Sequence, residues 1–72
     1  MQQKELKKLT DNGLLDSVLV VDKSIHWEVC ASDSSGEFAV IRTARGGKRE
    51  FKTLDAVKAM LDEVGVKSFT VC

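Results

Sequence analysis

The sequence predicts an α+β domain: a mainly antiparallel sheet of four to five strands, with a short amino-terminal helix and one longer helix packed on one face. Three observations predict it. Short β-branched or alternating apolar runs recur between residues 17 and 52, each separated from the next by turn formers. Apolar residues between 53 and 65 instead recur at helical spacing, between a threonine and a glycine suited to start and stop a helix. A weaker stripe of the same kind opens the chain. The predicted order is α-β-β-β-β-α-β, and 72 residues without proline or repeats predict one domain, 1–72, with one small core.

Each element has a local reason. Over residues 2 to 11, Leu6 and Leu9 lie three apart on one helical face, and Asn12-Gly13 supplies a left-handed stop. "SVLVVD" (17 to 22) and "IHWEVCA" (25 to 31) form a hairpin across Asp22-Lys23-Ser24, with Trp27, Val29 and Ala31 on one face. "SDSSG" turns the chain into "EFAVIRTA" (37 to 44), and Gly46-Gly47 offers positive φ angles for a second hairpin into Lys48–Lys52. Thr53 caps the longer helix and Asp55 complements its dipole. Leu54, Val57, Leu61 and Val64 form its stripe, and Gly65 ends it. "KSFTV" closes as a strand whose edge the sequence leaves open. Trp27, Phe38, Val40, Phe51, Leu54, Val57, Leu61 and Phe69 are the expected core.

Composition narrows the function. "MQQKELKKLT" holds no signal-like apolar run, and nothing approaches the ~20 apolar residues of a membrane span, so a soluble cytoplasmic protein with no membrane partner is expected. Cys30 and Cys72 are the only cysteines, too few for a disulfide framework or a four-ligand zinc site, and are read as reduced thiols. His26, the only histidine, shares a strand face with Glu28 and Cys30. Flat strand spacing suits neither a tetrahedral metal nor a nucleophile–base pair, and Glu28 reads as a solvated side chain. No phosphate loop is present, because Gly46-Gly47 leads into a strand rather than a helix. No catalytic residue, cofactor or metal is therefore expected, and the protein reads as a non-enzyme.

Charge patterning is the one feature that asks for a partner. Eleven basic and eleven acidic residues cancel, yet Arg42, Arg45, Lys48, Arg49 and Lys52 face only Glu50 between residues 42 and 52. Residues 11 to 37 are correspondingly acidic, with Lys23 as their only cation. A two-stranded ribbon fits the major groove of duplex DNA, so these five cations are the candidate nucleic-acid-binding residues. The alternative is a protein-binding module or homodimer that works through an uncovered sheet edge or the acidic surface, without nucleic acid.

Two resemblances attach to these residues. "GGKREFKTLDAVKAML", following "HWEV" and "EFAVIRT", resembles the three-stranded sheet plus helix of the arm-type or AP2-like DNA-binding modules of phage integrases, over residues 25 to 64. The chain departs from them by its first helix, first strand and last strand. Nearly end to end, "DNGLLDSVLV", the tryptophan strand and "REFKTLDAVKAMLDEVGVKSFTV" are similar to small plasmid partition-associated proteins. That likeness implies a plasmid or mobile-element setting and carries over no catalytic residue.

Overall fold

The computed structural model describes all residues from Met1 to Cys72. Its elements are α1 (Gln3–Asp11), β1 (Ser17–Asp22), β2 (Trp27–Ser32), β3 (Phe38–Val40), α2 (Leu54–Val64) and β4 (Thr70–Val71). The α+β class holds, with four strands in the spatial order β3-β2-β1-β4. β1 and β2 pair antiparallel, Val18 opposite Ala31 and Val20 opposite Val29, and β3 extends that meander. The last strand takes the free side of β1 and runs parallel to it, as a strand arriving through a helical crossover does.

Local signals set α2 at both ends. Thr53 Oγ1 accepts a hydrogen bond from the Ala56 N–H at 3.1 Å, which satisfies one of the orphan donors of the first turn. At the other end Gly65 adopts φ 88°, and the Val66 N–H returns to the Leu61 carbonyl at 2.9 Å. This closing geometry tucks Val66 back into the core. α1 ends similarly, with Gly13 at φ 68° and the Leu14 N–H on the Leu9 carbonyl.

The core is aliphatic rather than aromatic. Leu6 of α1, Val57, Met60, Leu61 and Val64 of α2, and Val18, Val20, Val29, Ala31 and Ile41 of the sheet side form one buried cluster with Phe51 and Val66. Of the expected core, Phe51, Val57 and Leu61 are buried. Trp27, Val40, Leu54 and Phe69 are only half-buried, and Phe38 is 48% exposed. Phe38 misses the core because it sits on the edge strand and, by alternation with Ala39 and Ile41, faces away from the helices. The same alternation places Leu19, Val21, Cys30 and Val40 on that opposite face, half-buried, together with the buried Glu28 and Ser32.

Residues 48 to 52 do not form the expected strand. They make single bridges, Lys48 with Arg42 and Phe51 with Trp27, both antiparallel. β2 and β3 are themselves antiparallel, so a segment antiparallel to one must be parallel to the other. Meeting both partners antiparallel forces the chain to bend between Lys48 and Phe51, and a bent segment cannot run as a ladder.

The edges are also defined. Beside β3 the Met1 carbonyl accepts from the Arg42 N–H at 2.6 Å, and the Met1 ammonium donates to the Val40 carbonyl at 3.2 Å. The chain start thus occupies part of an edge that would otherwise offer free backbone groups. At the other edge β4 pairs over only two residues.

Candidate nucleic-acid interface

The basic segment begins where Ile41 anchors it. Ile41 is fully buried, its N–H bonds the Val29 carbonyl at 2.8 Å, and its carbonyl accepts from the Arg49 N–H at 3.0 Å. Beyond it the turn closes through Thr43 N–H to Gly47 carbonyl at 2.8 Å and Gly46 N–H to Thr43 carbonyl at 2.9 Å. Only Gly46, at φ 94°, uses a positive φ; Gly47 does not, because the turn is wider than a two-residue hairpin. The return leg docks through reciprocal bonds between Trp27 and Phe51, at 2.7 and 2.9 Å.

The five candidate cations divide into three situations. Arg42 and Lys48 stand opposite one another and line a shallow groove on the open side of the sheet. Arg42 turns one guanidinium N–H onto the Gly46 carbonyl at 2.9 Å, and the Lys48 ammonium lies 4.0 Å from Glu28. Arg49 is half-buried; it donates to the Gln3 side chain of α1 and lies over the Phe51 ring at 4.8 Å from its centroid. Arg45, at the turn, and Lys52, after Phe51, are exposed and make no side-chain ion pair. The structure therefore brings Arg42 and Lys48 together, diverts Arg49 into packing, and leaves Arg45 and Lys52 as free heads.

Two groups of this surface are not found by reading residues 42 to 52. Lys23 enters the same groove as Arg42 and Lys48, because it continues the β1 alternation of Leu19 and Val21 past the end of the strand. The alternation itself was the available signal. Glu28 is 7% exposed rather than solvated. It meets the His26 ring nitrogen at 2.9 Å, and a Glu50 carboxylate oxygen lies 3.8 Å from the same nitrogen. The hydrogen bond from His26, aided by the charges of Lys48 and Lys23, outweighs burial and holds the Glu28 carboxyl below its ordinary range.

Burial and the neighbouring Glu28 charge push the Cys30 thiol up, so it stays protonated and a poor nucleophile near neutrality. No group of three or more His, Cys, Asp or Glu side chains converges to hold a metal ion. No helix is long and apolar enough to cross a membrane. No family model, curated protein sequence or solved structure matches this chain, so its chemistry rests on the geometry alone.

Proposed function

We propose that the protein is a small non-catalytic accessory module that contacts the phosphate backbone of DNA through its 42 to 52 segment. The observation that carries this reading is the pair of unpartnered exposed cations, Arg45 and Lys52, on the same segment as the facing pair Arg42 and Lys48. Lys23 adds a further charge to the groove of that facing pair.

The bend at the return leg favours one of two modes of contact within this reading. Base-edge reading by a two-stranded ribbon needs a regular ladder to enter the major groove, and this segment has only isolated bridges. Phosphate contact needs only accessible charge, and each neutralised phosphate releases counterions. Binding is accordingly sequence-tolerant, with Kd on the order of 10⁻⁴ to 10⁻⁶ M at physiological salt. Arg49, held by Gln3 and Phe51, contributes by keeping the segment in place rather than by touching DNA. A plasmid or mobile-element setting belongs to the same proposal.

Fluorescence anisotropy with a labelled duplex tests it across a salt series. The expected result is a linear fall of log K with log salt, with the slope reduced by about 0.9 for each contact removed in Arg45→Ala and Lys52→Ala. Absence of binding at low salt, or equal slopes for the wild type and the double variant, overturns the reading.

A further inference from the structure

The turn between β1 and β2 carries an apolar side chain that the fold leaves almost wholly in water. Ile25 is 86% exposed, whereas the other large apolar side chains at the surface, Leu14, Phe38 and Val71, keep about half of their area covered. A lone exposed isoleucine is ordinary on a protein surface, so exposure by itself assigns nothing. The setting of this one is less ordinary.

The turn is held in one shape. The Asp22 carboxylate accepts from the Ser24 N–H at 2.8 Å, the Lys23 N–H donates to the His26 carbonyl at 3.0 Å, and Ser24 takes φ 75°. These bonds fix the backbone on both sides of Ile25. Cations then stand on either side of the tip. Lys23, two residues before Ile25, is exposed and makes no ion pair. On the other flank the reciprocal Trp27–Phe51 bonds are antiparallel, and the same register carried one residue further sets Lys52 opposite His26, the neighbour of Ile25. Lys52 is one of the two free cations of the basic segment, and Arg42 and Lys48 share the groove of Lys23. The anions of this end each face a group of the fold itself: Asp22 the Ser24 N–H, Glu28 and Glu50 the His26 ring.

We propose that Ile25 is a wedge that enters a base step of duplex DNA from the minor groove and kinks the duplex, while Lys23 and Lys52 contact phosphates on either side. Such a wedge presupposes the DNA contact proposed above and adds a deformation to it. A branched apolar side chain suits this use because it slips between base planes with no polar atom left unpaired. Leaving water offsets part of the cost of unstacking, and kinks made in this way run from about 20° to 90°. The preference it creates is for steps that open easily, TA and CA/TG, and not for base edges, which agrees with a sequence-tolerant contact. A lipid surface also takes apolar residues beside cations, but it needs a wider apolar face than one isoleucine between Ser24 and His26.

A duplex of about 20 bp with a central TA step reads the three events together, with the fluorescent base aminopurine at that step and a donor and acceptor dye at the ends. Wild-type protein is expected to raise dye anisotropy, aminopurine emission and energy transfer. Ile25→Ser is expected to keep the urea midpoint, because the side chain is exposed, and the salt slope, because no charge is lost. It loses the aminopurine and energy-transfer changes, and Ile25→Leu retains them. Anisotropy that rises without either change, or distortion that survives Ile25→Ser, overturns the wedge and leaves the phosphate contact standing. No rise in anisotropy at low salt overturns both. An undistorted duplex together with Ile25-dependent sedimentation on anionic phospholipid vesicles also overturns the wedge, and assigns the tip to a membrane surface.

Discussion

The two faces of this sheet are built from similar residues and meet different fates. Val18 and Val20 on one side of β1 are buried, while Leu19 and Val21, on the other side of the same strand, are only half-buried. What separates them is not their own hydrophobicity but where the apolar stripe of α2 lands: Val57, Met60, Leu61 and Val64 close over one side only. Burial in a small α+β domain is thus assigned by the covering helix, and strand composition cannot settle it.

The sharpest way to break that comparison is to truncate one residue on each face. Ile41→Ala, at a fully buried position, is expected to cost about 2–5 kcal/mol, whereas Leu19→Ala costs about 1 kcal/mol or less in dilute solution. Urea unfolding with an unchanged m-value checks both, and equal costs would mean that the two faces are covered alike. Next in size are the devices that hold the covering helix. Thr53→Ala removes the bond to the Ala56 N–H and is expected to cost about 1 kcal/mol. Gly65→Ala imposes a side chain at φ 88°, 3.4 Å from the Thr10 methyl, and is expected to cost on the order of 1 kcal/mol.

A smaller effect lies on the open face and depends on pH. Glu28 has a folded pKa below the ordinary 4.5, so its contribution is complete above about that pH and disappears as the pH falls through the folded value. Glu28→Gln should therefore flatten the acid limb of a stability–pH curve while leaving its shape near neutrality unchanged. The smallest expected contrast separates the two kinds of arginine. Arg49→Ala loses the Gln3 bond and the Phe51 stack and should lower stability by about 0.5–1.5 kcal/mol. Arg45→Ala should change it by less than about 0.5 kcal/mol.

Legibility from the sequence follows the range of the interactions involved. α2 could be read to within a residue because Thr53, Asp55 and Gly65 act on backbone groups three to five residues away. The β1–β2 hairpin was equally plain, since alternation and turn chemistry are both local. The supposed strand at 48 to 52 failed for the opposite reason: its composition suits a ladder, but its two partners, Arg42 beyond the end of β3 and Trp27 in β2, are met only by single bridges. Phe38 failed as a core residue because alternation reports two faces without saying which will be covered. At the candidate site the five cations were visible as charge. Their partners were not, because Gln3 lies 46 residues from Arg49 and only the fold brings them together.

The bend that spoiled the fourth strand leaves Trp27 in a useful place. It is the only tryptophan, and the chain has no tyrosine, so excitation reports a single site. Its backbone carries two of the bonds that fasten the return leg, beside the one from the Arg49 N–H to the Ile41 carbonyl. Emission from this half-buried indole therefore follows detachment of the basic segment, while far-ultraviolet circular dichroism follows the helices. If the segment opens before the rest unfolds, the two signals will part company in a denaturant titration.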